Sequence, residues 1–566
     1  MKKKRLLIVG GVAGGASCAA RARRLSEFDE IIIFERGPYI SFANCGLPYY
    51  VGNVIAKEDD LLVATPELFD SWFNIEVRTG SDVIGLSPRQ KEIEVKNLKT
   101  GEIYREKYDA LVISPGASPV IPGLEGINLP GIFTLRTIPD LRNIIQWIHA
   151  RDVRQAVIVG GGFIGLEMAE NLHRRGIHVT IVEMQAHVMP VLDPEMAMML
   201  HGPLRSQGIA LCLGSSVTGF KSGEDNSIDV HLASGKTVSG QLVLLAVGVR
   251  PETRLAAAAG IEIGPSGGIV VNEHMRTSDE NIWAVGDAVE VKNFITGSPG
   301  VVALAGPANR QGRTAAAGVT GSLPGNLRFR GSQATAVCGV LGMTIASTGV
   351  TEKMLLNHHG RGADFDFEKI YLHPDHHASY YPDAKKMTIK LLFSKPAGRL
   401  LGAQAVGLAG VEQRSDVSSM AIGLNGTVFD LEEAELCYAP QYGSAKDPVN
   451  MAGMIAANVL RGISRVRHWH DINKPGSFIL DVREPHEFAK GHVKGAMNIP
   501  LGKLRQRLQE LPRQEDICIY CQVGKRSYNA TRILSQHGFK AYNLSGGFLM
   551  YQAFSRTVAS GEDFPA

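Results

Sequence analysis

Short apolar runs, each closed by a cluster of glycines, set the pattern of the first half of the chain. Leu6-Leu7-Ile8-Val9 leads into Gly10-Gly11-Val12-Ala13-Gly14-Gly15 and an alanine-rich run, and Ile31-Ile32-Ile33-Phe34 then ends on Glu35. That order predicts strand, tight turn, helix and strand, since so short an apolar run bounded by glycine suits a buried parallel strand better than a helix. The unit recurs: Ala156–Val159, then Gly160-Gly161-Gly162-Phe163-Ile164-Gly165, a helix to His173, and Val179–Val182 closed by Glu183. From about residue 330 to 460 the pattern changes to short β-rich segments such as Met387–Phe393 and a Gly/Ala-rich helical region, which predicts an α+β domain. A charged stretch, 461–467, reads as a linker. Phe478-Ile479-Leu480-Asp481-Val482-Arg483 then opens a last run of alternating strands and helices to residue 566, again α/β.

The repeat implies two Rossmann-like dinucleotide-binding domains, a pairing expected where one protein holds a flavin dinucleotide permanently and a nicotinamide dinucleotide transiently. In the second fingerprint Gly160, Gly162 and Gly165 permit the tight turn, the approach of a pyrophosphate to backbone N–H groups, and close helix–strand contact. Glu183 is placed for the ribose hydroxyls and would repel a 2′-phosphate, so NADH is expected over NADPH. The first fingerprint departs from the pattern, with Val12 at its middle glycine position. Gly10, Gly11 and Gly15 remain for the phosphates, and Glu35 for the ribose.

Thr277–Ala288, which contains Trp283-Ala284-Val285-Gly286-Asp287, resembles the second FAD motif of the pyridine nucleotide-disulfide reductase family, and Ser114-Pro115-Gly116-Ala117 resembles its crossover segment. The resemblance implies FAD as cofactor, with Asp287 near the ribityl chain, and FAD-binding segments at 1–150 and 281–329 around an NAD(P)H-binding domain at 151–280. Cys45, in Ser41-Phe42-Ala43-Asn44-Cys45-Gly46, has no second Cys within a few residues. An internal dithiol is therefore excluded, and the redox partner of Cys45 must be a sulfenic oxygen, a small thiol or a persulfide. This arrangement is similar to the single-cysteine branch of the family: NADH peroxidase, NADH oxidase and coenzyme A-disulfide reductase. A thiolate is the required nucleophile, and an electropositive, partly exposed setting would lower its pKa.

Ser17, Arg21 and Arg24 fall at i, i+4 and i+7 and share one face of the first helix, while Cys18, Ala19 and Ala22 turn towards packing. On residue types alone this face reads either as a solvated basic surface or as a grip for phosphates. Its positions, with Ser41 and Asn44, match those that bind coenzyme A in the disulfide reductase. His376-His377-Ala378-Ser379-Tyr380, Cys437-Tyr438-Ala439-Pro440 and Ser444–Pro448 look like that reductase's dimerisation domain, here 330–460. The resemblance implies a homodimer in which Tyr380 and Tyr438 serve the other protomer's active cysteine, with Asn309, His376 and Lys446 helping to hold coenzyme A. Without it both tyrosines read as packing residues.

Asp481–Phe488, Gly491–Pro500 and Cys521-Gln522-Val523-Gly524-Lys525-Arg526-Ser527 resemble a rhodanese domain over 468–566. A cysteine heading a loop before a helix can carry a persulfide, since loop N–H groups and the helix N-terminus stabilise anionic sulfur, and Lys525 and Arg526 add positive charge. Cys518 and Cys521 also spell C-x-x-C. A dithiol or half a zinc site is disfavoured because Cys518 lies inside the apolar run Ile517–Tyr520 and no matching second pair exists. No metal is expected.

At 566 residues, 44% of them hydrophobic, the chain exceeds what one core supports. A formal charge of +3 calls for neither nucleic acid nor an anionic membrane. Seven cysteines, an odd set, fit reduced and mostly buried thiols in a cytoplasmic protein. Met1–Arg5, the apolar run after it and Ala16-Ser17-Cys18 imitate a secretory or lipoprotein signal, but the run is short and broken by glycine, and cleavage would destroy the fingerprint. No stretch reaches membrane-spanning length.

As a whole the chain resembles fusions of coenzyme A-disulfide reductase with rhodanese, including NADH-dependent persulfide reductases. The expected activity is FAD-dependent, NADH-driven reduction of coenzyme A persulfide, or a related small persulfide or polysulfide, to thiol plus hydrogen sulfide. Cys45 would do the reduction and Cys521 would carry sulfane sulfur. Coenzyme A-disulfide reductase, NADH peroxidase and a slow sulfur-relay or redox-sensing protein are the alternatives. Coenzyme A enters as substrate carrier or bound cofactor.

Overall fold

A computed structural model describes residues 3–321, 327–358, 366–472 and 477–559. Parts of the domain expected at 468–566, namely 473–476 and 560–566, lie outside the described residues, as do the first two residues of the signal-like start. The chain forms two compact units: residues 1–182 with 216–334, and 183–215 with 335–566.

The first unit is built on two parallel sheets. In one, Arg5–Val9 lies centrally between Glu30–Glu35 and Ala110–Ile113, with Glu76–Thr79 and Ile282–Ala284 at the edges. These strands are apolar on both faces, and Leu7, Ile8, Ile32, Ile33, Leu111 and Val112 are fully buried, as parallel strands covered on both sides require. In the other, Gln155–Val159 pairs in parallel with His178–Glu183 and with Leu242–Leu245, and Leu242–Leu245 pairs in turn with Ile132–Phe133. Helices Ala13–Leu25 and Phe163–Arg174 follow the two glycine turns. The first packs along helix Ala305–Thr320, and the approach is close because Gly312 faces the backbone oxygen of Gly14, where a Cβ would collide.

The second unit joins an antiparallel sheet, ordered Ala336–Val340, Met343–Gly349, Leu400–Gly407, Met387–Ser394 and Phe367–Leu372, to a parallel sheet at the C-terminal end. The latter runs Val466–Arg467, Ala541–Leu544, Asp516–Tyr520, Ser477–Asp481 and Met497–Asn498. Both the α+β and the α/β expectations are met. Val466–Arg467, expected inside a linker, instead form an edge strand. Two residues are too few to show periodicity, and what recruits them is pairing with Asn543 and Leu544. Hydrogen bonds join the two sheets: the Tyr371 N–H donates to Ser545 Oγ at 3.1 Å, and His373 Nε2 donates to Gly546 O at 3.0 Å. Among the described residues no helix is long and apolar enough to cross a membrane.

Segment 183–215 belongs with this second unit for an electrostatic reason. Lys390 Nζ, fully buried in the antiparallel sheet, lies 2.7 Å from Asp193, 2.6 Å from Glu195 and 2.7 Å from Glu352. Gln404 Nε2 donates to Asp193 at 2.7 Å, and the Tyr371 hydroxyl to Glu195 at 2.8 Å. Burial alone would depress the ammonium, but the carboxylates around it, Asp193 and Glu195 foremost, carry it well above its ordinary value. These carboxylates are close enough together to hold a metal ion, yet each is already paired with the ammonium. Lys390→Met would leave the acids buried without their shared cation, a loss of about 3–5 kcal/mol. The thermal midpoint of the second unit should then fall by on the order of 10 °C. A shift below about 2 °C in calorimetry would show that the ammonium is dispensable.

Candidate functional site

The two glycine turns have the shape that phosphate approach needs. Gly160, at φ +110°, packs on Ala246 O, and Gly165 packs on Gly160 O, so a side chain at either would collide with backbone. The Cβ position of Gly162 meets nothing within 4 Å, leaving the helix N-terminus open to a ligand. Gly10, at φ +94°, and Gly15 repeat the close contacts, on Ser114 O and Gly10 O. Val12 does not prevent the turn. Glu35 ends its strand and accepts from the N–H groups of Gly11 and Gly37 at 2.9 and 2.8 Å, while Glu183 ends the corresponding strand and accepts from Gln185 N–H at 2.9 Å. Asp287 follows Gly286, whose N–H donates to Gln311 Oε1 at 2.7 Å. Both turns fit the dinucleotides expected of them.

Cys45 lies in the single turn Asn44–Gly46, directly before helix Leu47–Val51, and is exposed. Ser41, in the left-handed region at φ +44°, donates its N–H to Gly11 O at 2.8 Å and so ties this segment to the first glycine turn. Asn44 Nδ2 reaches Arg136 O at 3.5 Å. The setting of Cys45 is not the electropositive one expected. Packing around the sulfur, and then the carboxylates of Glu167 and Asp287, push the Cys45 thiol up. The charged side chains that act on it are acids.

Sequence reasoning missed Glu167, although it lies two residues past Gly165 on the fingerprint helix. Burial raises its carboxyl to about 7, against the opposing effect of the Tyr49 hydroxyl, which donates to it at 3.3 Å. Arg136, also missed, is lowered by burial and opposed by Asp287.

On the first helix, Ser17 hydrogen-bonds to Asn309 across the Gly14–Gly312 contact. Arg21 has a buried Nε with no hydrogen-bond partner. Its guanidinium is lowered by burial and then by the charges of Arg313 and Arg24. Arg313 was not foreseen, although its i, i+4 spacing from Asn309 on helix Ala305–Thr320 would have shown it. A cluster of guanidiniums with an unsatisfied donor suits an anionic ligand, and phosphates most of all.

In the second unit the hydroxyls of Tyr380 and Tyr438 lie 2.8 Å apart on the surface, and the bond to Tyr438 raises the Tyr380 phenol. Neither is a packing residue. The His376 ring lies tilted against His377, with centroids 4.0 Å apart, and is lowered by burial and by that neighbour. Lys446 is exposed just before helix Pro448–Leu460, and Cys437 is exposed beside Tyr438, an exception to the mostly buried thiols expected.

Cys521 is fully buried at the head of the loop before helix Lys525–Gln536. Its Sγ accepts from Gly524 N–H at 3.2 Å and from the Ser527 hydroxyl at 3.5 Å, while its own carbonyl accepts from Phe548 N–H at 2.7 Å. Gly524 sits at φ +96°, and Gly547 packs so tightly under the loop that a Cβ would meet Cys521 O at 2.5 Å and the N atoms of Gly524 and Val523 at 2.8 and 2.9 Å. Gln522 Oε1 accepts from Arg483, whose guanidinium is held by Asp481 and spans the Phe548 ring at 4.1 Å. Lys525 is exposed, and Arg526 is paired with Glu487. Cys518 is buried on strand Asp516–Tyr520 and takes a contact from Arg467 at 3.4 Å, as its apolar setting predicted.

Residues 4–312 match the pyridine nucleotide-disulphide oxidoreductase family, 335–447 that family's dimerisation domain, and 466–553 the rhodanese-like domain. Coenzyme A disulfide reductase from Staphylococcus haemolyticus (strain JCSC1435) is 33% identical over 456 residues, covering 81% of this chain and all of that protein. The reduced CoADR-RHD of Bacillus anthracis is 44% identical with a TM-score of 0.95, over 99% of both chains. The NAD-dependent persulfide reductase of A. fulgidus is 35% identical with a TM-score of 0.89, over 97% of this chain and all of that one.

Below about pH 7 Glu167 is neutral, and above it its charge opposes the Cys45 thiolate. Glu167→Gln should therefore lower the apparent pKa of Cys45 and speed its alkylation by iodoacetamide at pH 8 by roughly threefold. The Glu167 carboxyl binds its proton more tightly folded than unfolded, so the stability it contributes is full below 4.5 and lost as pH rises through about 7. The variant should lack that slope in its melting profile. An unaltered alkylation profile would remove Glu167 from the electrostatics of the thiol.

Proposed function

The chain belongs to the pyridine nucleotide-disulphide oxidoreductase family and carries a rhodanese-like domain, and from that premise we propose that it is an NADH-dependent persulfide reductase. Its substrates would be coenzyme A persulfide, or related small persulfides and polysulfides. The observation that carries this reading is the presence, in one chain, of an exposed single thiol at Cys45 and a second thiol at Cys521 held in a loop that donates to its sulfur. The relatives named as a coenzyme A disulfide reductase and a persulfide reductase support it.

Family membership implies FAD and a nicotinamide dinucleotide, and when bound FAD supplies the route by which the electron pair of NADH reaches an S–S bond at Cys45. Gly10, Gly11, Gly15, Glu35 and Asp287 would hold it. Gly160, Gly162, Gly165 and Glu183 would hold NADH, with the Glu183 carboxylate disfavouring a 2′-phosphate. Cys45 thiolate would attack the inner sulfur of the persulfide, displacing hydrosulfide and leaving a mixed disulfide. Two electrons and a proton then return the thiolate and free the thiol, so that RSSH, NADH and H⁺ become RSH, H₂S and NAD⁺. Ser17, Arg21, Arg24, Ser41, Asn44, Asn309, His376 and Lys446 are proposed to bind coenzyme A, with Arg313 added from the structure. In a homodimer, Tyr380 and Tyr438 of one protomer would protonate the sulfur leaving the other protomer's Cys45. Cys521 would hold sulfane sulfur as an anionic persulfide, stabilised by its loop (Gln522, Val523, Gly524, Lys525 and Arg526).

Reduction of coenzyme A disulfide is the second reading, favoured by the Arg21, Arg24 and Arg313 cluster, since a grip on phosphates serves either substrate. Anaerobic NADH oxidation and sulfide release decide between them. Coenzyme A persulfide should be preferred over the disulfide, with sulfide released, and Cys45→Ser should lose at least about 1,000-fold in kcat. Faster turnover on the disulfide, indifferent to Cys521→Ser, would make the second reading correct.

A further inference from the structure

The loop around Cys521 carries two cations in sequence, Lys525 and Arg526, but the structure leaves only one of them uncompensated. Arg526 Nη1 and Nη2 donate to the two carboxylate oxygens of Glu487 at 2.6 and 2.8 Å. This pair does more to the Arg526 guanidinium than Cys521 does, although Cys521 acts on it as well. Glu487 belongs to helix Pro485–Ala489, where its carboxylate also accepts the Glu484 N–H at 3.0 Å, so it is fixed from two sides. The other nearby cation, Arg483, is compensated by Asp481 at 2.7 Å. Lys525 is exposed. Among the described residues of this loop, the cation left without an ion pair is Lys525, and it joins the backbone N–H groups that the sulfur site offers a donor molecule.

We propose that Glu487 determines which sulfur donors load Cys521, disfavouring doubly charged inorganic donors such as thiosulfate and admitting the persulfide of a thiol, whose reacting end carries one charge. The inference rests on the reading of Cys521 as the sulfur carrier. With a persulfide, the Cys521 thiolate attacks the outer sulfur, a Cys521–S–S⁻ bond forms, the donor's S–S bond breaks and a thiolate leaves. With thiosulfate the same bond forms, the donor's S–S bond breaks and sulfite leaves as a dianion. Both exchanges balance without an oxidant or reductant. The dianion brings one more negative charge into a site where Glu487 stands against it, and that extra charge is what Arg526 would neutralise if it were free.

Glu487→Gln keeps an oxygen for Glu484 N–H and for Arg526 but removes the charge, and Glu487→Asp keeps the charge. In the full-length holoenzyme, thiocyanate formation from cyanide would be followed with thiosulfate and, separately, with glutathione persulfide as donor. Glu487→Gln should raise kcat/KM for thiosulfate roughly tenfold relative to that for glutathione persulfide, mostly through KM, as release of the Arg526 charge that acts on Cys521 implies. Glu487→Asp should keep the wild-type ratio. A parallel rise or fall with both donors, or a ratio unchanged in Glu487→Gln, overturns the proposal and leaves Glu487 as a structural anchor for the loop. Cys521→Ser, run alongside, separates the premises. Loss of thiocyanate formation is expected, and persistence would refute Cys521 as carrier whatever Glu487 does.

Discussion

The contact between Gly14 and Gly312 is the constraint on which the first unit's chemistry depends. Two helices meet there at backbone distance, closer than any side chain would permit. Because they meet there, Ser17 reaches Asn309, Arg21 comes under the charge of Arg313, and Gln311 is carried to the Gly286 N–H beside Asp287. Residues nearly 300 positions apart in the chain form one anion-seeking surface beside the expected flavin site. Moving either helix outward by the width of a methyl group would break the Ser17–Asn309 hydrogen bond between them.

The two thiols sit in different surroundings. Packing around the Cys45 sulfur, and then the acids Glu167 and Asp287, push its thiol up, so that its nucleophilic form must be drawn out by what binds there. Cys521 is buried, and its sulfur accepts from backbone and hydroxyl donors. Donor groups fixed in this way stabilise anionic sulfur without a full countercharge, which matters where Arg526 is already committed to Glu487. The first setting suits a thiol that exchanges partners with incoming substrates, and the second suits one that stores a charged sulfur chain out of water.

A buried charge also organises the second unit. Lys390 gathers Asp193 and Glu195 from the start of one helix and Glu352 from the start of another, and burial of this kind is tolerable only when every acid finds the shared ammonium. The cluster explains why residues 183–215, which in the chain follow the strand ending the second dinucleotide fingerprint, group with the antiparallel sheet.

Local pattern in the sequence by itself determined the glycine turns, the strands that feed them, the apolar burial of Cys518 and the single, unpartnered character of Cys45, because each follows from residue type within a few positions. Resemblance extended that to the order of the domains. Only the tertiary structure decided the edge strand at Val466–Arg467, the acids around Cys45, the place of Arg313 beside Arg21, and the pairing of Arg526 with Glu487. Charge shows in a sequence as a count, but its effect depends on distance and burial, and these are set by folding. Lys525 and Arg526 look alike along the chain, and the fold leaves one of them exposed and binds the other to an acid 39 residues away.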